Sequence, residues 1–353
     1  MSVKETKGTS NYEYVTARVQ ARRAALFDDE DYRKLVRMGP SEIARYMEET
    51  EYESEINALG SRYDGVDLIE HALNQNLAKH FNDLLEWADG RLYELIARYL
   101  RKFDAWNVKT VIRGIYSDAE SEAIAEDLIY AGELERSFLD RLVEASSIED
   151  AVEMLDRTRY GEALAEAYET YEQTDVLIPL ENAVDRTYYE GLIEGVTRSD
   201  NRATQLYVEF LQSEIDFRNA RNALRIARSG ADLDPVDYFI DGGQLFDASE
   251  LSQLSTNVDE LISFIRDSTY GDNLSTALDE VERADSLIAF EHALDAALLE
   301  YSDHLSHVFP LSVCPVLAYV LAKEREVDNI RAIARGREAG LSEREIENEL
   351  VML

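Results

Sequence analysis

Apolar residues recur at i, i+3, i+4 and i+7 through most of this 353-residue chain, the period of amphipathic helices packed on one another. No Asn-Gly or Asp-Gly turn flanked by alternating strands interrupts the pattern, and only five prolines are present. The pattern predicts an all-α fold. One helical stretch is expected from Val15 to Val36, through Val19, Leu26 and Leu35, with Pro40 and Ser41 ending it and starting the next. Ser342 to Glu345 reads as a capping box that opens the last helix after Gly340, and Asp241-Gly242-Gly243 as a turn between helices.

The pattern repeats at a fixed period. Asp104, Asn107, Lys109 and Arg113 recur as Asp216, Asn219, Arg221 and Arg225 and as Glu326, Asn329, Arg331 and Arg335: acid, Asn, base and Arg at offsets 0, 3, 5 and 9. A second marker precedes each: Glu70-His71-Ala-Leu-Asn74, Glu181-Asn-Ala-Val-Asp185 and Glu291-His292-Ala-Leu-Asp295. A third is a tyrosine at Tyr52, Tyr160 and Tyr270. All three are spaced by about 110 residues, so the chain divides into three homologous helical units, 14–116, 117–230 and 231–353, after a short flexible tail at 1–13. This is far longer than the ~30–47 residues of helix-pair solenoids and describes a triplicated domain, whose three related units can enclose a pseudo-threefold axis.

At about 100° per residue, the acid and Asn share one helix face with the apolar positions at offsets 4, 7 and 8. A buried acid beside a buried Asn needs hydrogen-bond partners, so Asp104, Asn107, Asp216, Asn219, Glu326 and Asn329 read as structural pins. Their partners are expected on backbone or on basic groups of the adjoining helices that carry Glu70, Glu181 and Glu291. The pairs Lys109/Arg113, Arg221/Arg225 and Arg331/Arg335 lie on the other side of the motif helix as i,i+4 neighbours. They form either a solvated face or a basic surface turned to a partner or to another domain.

Charge sharpens this choice. Acidic residues number 72 against 36 basic ones, a net charge of −36, while 45% of residues are apolar, enough to fold. Such a field repels nucleic acid and anionic lipid, leaving proteins or cations as partners. Of the basic residues, seven are lysine and 29 arginine. Acid excess with little lysine fits a high-salt cytoplasm, where molar salt screens self-repulsion to within ~3 Å.

Little in the chain points to catalysis. The single cysteine, Cys314, excludes an intramolecular disulfide and any multi-cysteine zinc site. Neither a phosphate-binding Gly-x-x-x-x-Gly-Lys-Ser/Thr loop nor a Gly-x-Ser-x-Gly elbow occurs. His304 and His307 with Asp303 could ligate a metal, but they are expected in a proline-flanked loop without a supporting helix. The run Glu48–Glu55 reads as a solvated acidic face. His304 to Ala322 is nineteen residues without formal charge, close to a membrane span, but its two prolines and two histidines favour a loop followed by a buried helix from near Pro315.

These residues carry a resemblance. Tyr14-Val-Thr-Ala-Arg-Val-Gln-Ala-Arg22, the three acid-x-x-Asn-x-base-x-x-x-Arg helices and the segment Pro310-Leu-Ser-Val-Cys-Pro315 are its first parts. Tyr319, Lys323-Glu-Arg-Glu326, Asn329-Ile-Arg331 and Gly336-Arg-Glu-Ala-Gly340-Leu-Ser-Glu343 complete it. Together they resemble, over nearly the full chain, the C subunits of archaeal and V-type ATP synthases, relatives of the V-ATPase d subunit, in a halophilic archaeal form. Cys314 stands where a glycine is usual. The resemblance implies a funnel-shaped, three-domain, non-catalytic subunit of the central stalk. It would sit peripherally on the cytoplasmic side of the cell membrane, between the central-shaft subunits and the membrane rotor ring, and pass torque during proton- or sodium-driven ATP synthesis or hydrolysis. It implies no cofactor, no metal, no nucleic acid, membrane contact only through the ring, and no homo-oligomer. The alternatives are a free-standing helical repeat scaffold for protein–protein interaction and a metal-dependent hydrolase built on His304 and His307.

Overall fold

The computed structural model describes residues 9–193, 196, 202–229, 234–271, 274–275, 278–279 and 287–351. Among these residues the regular elements are α-helices and one 3₁₀ turn, Pro235–Tyr238, with no strand. Of the expected tail at 1–13, residues 1–8 lie outside the described residues, and the first helix starts at Tyr12.

The helix ends follow the capping chemistry of the sequence. Ser342 and Glu345 form the reciprocal box expected before the last helix, Glu343–Glu347, and Gly340 ahead of it takes a φ of +75°. Gly242, in the expected inter-helix turn, takes +109°. The continuous helix expected from Val15 to Val36 is instead two. Tyr12–Arg23 ends, and a second helix, Asp29–Leu35, begins where the Asp28 carboxylate accepts the Glu30 and Asp31 N–H groups. An N-cap carboxylate competes for the donors that a continuous helix would have used, and periodicity alone does not register that competition.

His304 and His307 sit on a helix, Leu287–Val308, rather than in the loop expected for them. The apolar period of the preceding residues carries that helix through to Val308, and the loop comes only after it. The His307 ring faces the Asp303 carbonyl one turn back, with Nδ1 2.9 Å from the oxygen. Among the described residues no group of three or more His, Cys, Asp or Glu side chains is placed to hold a metal ion. Pro315 lies in the first turn of the next helix, Cys314–Glu338, where its missing N–H costs nothing. Among the described residues no helix is long and apolar enough to cross a membrane.

The chain forms two compact units. One comprises the residues up to Ala25 together with Met38–Gly191, the other Leu26–Arg37 together with Leu192–Leu353. The first is built around the long helix Gly65–Trp87, on which the helices Pro40–Met47 and Glu53–Leu59 pack. In the second, Leu287–Val308 and Cys314–Glu338 pack against each other, and the Asp29–Leu35 helix packs on Cys314–Glu338. The nine apolar positions at offsets 4, 7 and 8 of the repeated motif are all buried: Val108, Val111, Ile112, Ala220, Ala223, Leu224, Ile330, Ile333 and Ala334. Each buried Val, Leu or Ile contributes about 1.5–3 kcal/mol, which makes this face the seam along which the motif helices are fixed.

Candidate functional site

The repeated motif builds the same clasp three times. From the Lys102–Tyr116 helix, the Asn107 side chain donates to the Ile129 carbonyl and accepts the Ile129 N–H, both at 2.8 Å. From Arg202–Ser229, Asn219 does the same to Ile240, both at 2.9 Å. From Cys314–Glu338, Asn329 brackets Val351 at 3.0 and 3.1 Å. Each carboxamide thus satisfies both backbone polar groups, the N–H and the C=O, of one buried residue 21 or 22 positions downstream.

The acid one turn earlier grips the same loop further on. Asp104 accepts the Glu133 and Leu134 N–H groups at 2.8 and 2.9 Å, and Asp216 those of Gln244 and Leu245 at the same two distances. Asp216 also accepts the Tyr270 hydroxyl at 2.9 Å. Glu326 differs. It accepts the Phe27 N–H at 2.6 Å, 299 residues away in sequence, and the Lys323 ammonium at 2.7 Å. The segment that takes the place of the downstream loop is therefore Leu26–Arg37, which belongs to the same compact unit as Glu326. For Asp104 and Asp216 the clasped partners are backbone amides of the following loops, not groups on the upstream helices that carry Glu70 and Glu181.

A glycine precedes the gripped amides in both loops. A Cβ on Gly132 would lie 2.0 Å from Asp104 Oδ1, and one on Gly243 2.2 Å from Asp216 Oδ1. Gly132→Ala should push the carboxylate off its amides and lower stability by about 1–3 kcal/mol, read as a shift of the denaturation midpoint. An unchanged midpoint would mean that the clasp carries no strain at this contact.

Burial pushes the Asp104 carboxyl up to about 6, against the pull of the Leu134 and Glu133 amides. Asp216 is pushed up for the same reason, held back by the Leu245 N–H, the Tyr270 hydroxyl and the Gln244 N–H. A carboxyl whose native pKa exceeds its unfolded value binds its proton more tightly when folded. The stability it supplies is complete below about pH 4 and is lost as pH rises through about 6. Taking the pH from 7.5 to 5.5 in molar KCl should therefore stabilise the protein by about 1 kcal/mol through Asp104, and Asp104→Asn should flatten that slope. Denaturant midpoints across this range measure it; the same slope in the variant would place the titration elsewhere.

The basic pairs meet the acids of the second marker, rung for rung. Lys109 pairs with Asp185 and Arg113 with Glu181, both at 2.5 Å. Arg221 pairs with Asp295 and Arg225 with Glu291, both at 2.6 Å. The rungs differ in exposure. Lys109 and Arg221 keep 12% and 18% of their side-chain surface, whereas Arg113 and Arg225 keep 50% and 54%. The inner rung of each ladder is thus shielded from solvent screening and is the stronger. Asp295 is shared with Arg325 at 3.0 Å. Burial alone would raise its carboxyl, but the Arg221 and Arg325 guanidiniums together hold it below the usual range. Arg331 pairs with Asp328 one turn back on its own helix at 3.1 Å. Arg335 is exposed on the last turn of that helix, and Glu70 is half-buried on Gly65–Trp87. That the two markers bind each other was missed from sequence. The signal was present, since both carry complementary charges at i,i+4 spacing with a common period.

The fold and these contacts define an all-helical protein in which a thrice-repeated side-chain clasp, reinforced by ion-pair ladders, ties helices to loops and to each other. The ATP synthase (C/AC39) subunit family model matches residues 15–349, and the chain belongs to that family. It is 68% identical to the C subunit of the A-type ATP synthase of Haloferax volcanii over 348 residues, 99% of each chain. It is 61% identical to the C subunit of the Halobacterium salinarum enzyme, over 98% of this chain and 99% of the relative. The C subunit of the A-type ATP synthase of Methanococcoides burtonii is 37% identical, over 99% of this chain and 97% of its own.

Proposed function

We propose that this chain is the non-catalytic central-stalk subunit of an A-type ATP synthase. On this reading it sits on the cytoplasmic side between the membrane rotor ring and the central-shaft subunits, and carries torque during proton- or sodium-driven ATP synthesis or hydrolysis. The names of its relatives support the assembly. The observation that carries the mechanical role is the repeated clasp with its ladders. A part under shear needs helices that cannot slide, and a carboxamide holding both the N–H and the C=O of one buried residue resists sliding in either direction along the helix axis.

On the same reading the repeats 14–116, 117–230 and 231–353 are three domains, and the ladders are inter-domain struts. Lys109, Arg113, Arg221 and Arg225 join one repeat to the next, and Arg331 and Arg335 extend the same basic series. The polar pins serve rigidity, and no residue is assigned a catalytic step.

The test is affinity purification of the tagged full chain from gently solubilised membranes in molar salt, followed by ATP-driven ion pumping with and without the chain. Recovery of the ATPase head, shaft and ring, with pumping lost and ATP hydrolysis kept when the chain is withheld, supports the rotor role. Recovery of the chain alone, or with soluble proteins outside any ATP synthase, would favour a free helical scaffold.

A further inference from the structure

We propose that Arg18 is a preorganised anchor for a carboxylate presented by a partner protein. Arg18 lies exposed on the Tyr12–Arg23 helix, within the N-terminal stretch Tyr14–Arg22, which none of the clasps or ladders uses. Its guanidinium sits 4.8 Å from the centre of the Tyr14 ring and 4.7 Å from that of the Trp87 ring. Arg22 stacks on the same indole at 4.4 Å, but its charge is answered by the Asp83 carboxylate and it also donates to the His80 carbonyl. Among the described residues no carboxylate pairs with Arg18. In a chain with two acids for every base, one of two cations on a single indole is thus neutralised and the other is held by aromatic rings.

Stacking engages the faces of a guanidinium and leaves its in-plane N–H donors at the edge, the geometry that receives a carboxylate through two parallel hydrogen bonds. The mount is rigid. Asn11 donates to the Trp87 carbonyl at 2.8 Å and accepts the Asp89 N–H at 3.0 Å, and Ser10 accepts the Leu92 N–H at 3.3 Å. An arginine already held against two rings loses little rotamer freedom on binding. Tyr14, with 48% of its surface exposed, supplies apolar area beside the charge. A net charge of −36 disfavours a polyphosphate or an anionic lipid surface, whereas a single Asp or Glu side chain of another protein matches one guanidinium.

The test uses the full chain in cells, with photoreactive p-benzoylphenylalanine in place of Ala21, one turn along the same helix. The cross-linked peptide is sequenced after irradiation. In parallel, release of the chain from the purified assembly is timed for Arg18→Gln and Arg18→Lys, with melting curves to check folding. The proposal expects an adduct on an Asp- or Glu-bearing segment of another protein, release about ten-fold faster or more for Arg18→Gln, and an intermediate rate for Arg18→Lys. No adduct, an adduct on lipid or nucleic acid alone, or unchanged release in a folded Arg18→Gln chain overturns it, as does an effect that chloride concentration alone reproduces. The proposal needs only a protein partner. An ATP synthase recovered without an adduct at position 21 defeats the anchor and leaves the rotor reading standing, and an adduct on an acidic segment of an unrelated protein does the reverse.

Discussion

Lys323→Ala should destabilise the protein by about 3–5 kcal/mol, the cost of removing one partner from a fully buried ion pair. Lys323 is 0% exposed and Glu326, which accepts from it at 2.7 Å, is 2% exposed. Truncating the lysine strips a buried carboxylate of the cation that balances it and opens a cavity where the four-carbon stem packed. The effect should reach further than one helix turn. The same carboxylate holds the Phe27 N–H, so the Leu26–Arg37 segment should loosen with it, seen as faster hydrogen exchange at the Phe27 amide. The double variant Lys323→Met with Glu326→Gln should recover most of the loss, because the carboxamide oxygen still accepts from Phe27 and no buried charge remains. Chemical denaturation in molar KCl measures both. A single variant that costs less than about 1 kcal/mol would show that water reaches the pair in solution and that the lysine is not its main counter-charge.

Asn107→Ala should cost about 3–5 kcal/mol, since it strands two buried backbone groups of Ile129 at about 1–3 kcal/mol each and leaves a small cavity. Asn107 is 0% exposed and Ile129 4%, so no solvent is at hand to replace the lost bonds. Asn107→Asp is the sharper variant. It keeps the size and the acceptor but removes the donor, and sets a carboxylate against the Ile129 carbonyl, so it should be no better than alanine near neutral pH. Asn219→Ala and Asn329→Ala should cost similar amounts, because the bracket has the same geometry in each. The comparison is made by denaturant midpoints on the three single variants. A loss confined to one of them would mean that the clasps are not equivalent and that the surrounding packing, not the bracket, sets the energy.

Much of this protein was legible in its sequence. Periodicity alone gave helices, and the acid-Asn-base-Arg offsets recurring every ~110 residues put the acid and the Asn on the buried face beside Val108, Ala220 and Ile330. Burial of a polar pair on an apolar face then demanded partners before any were seen. The sequence also carried the family.

The partners themselves were settled by the tertiary structure. Helical spacing fixes the direction in which a side chain leaves its own helix, not which distant backbone or charge lies there. Asp104 and Asp216 therefore meet loops 28 to 30 residues on, while Glu326 in the same motif position meets Phe27 from the other end of the chain and needed Lys323 beside it. The bases of one marker found the acids of the other because packing brought the two helix faces within ion-pair reach. Asp28 divided an apparently continuous helix because its cap competes with the helix backbone for the same N–H donors. Periodicity is a property of one helix and can be read along the chain. A clasp belongs to two segments at once, and only folding decides which two.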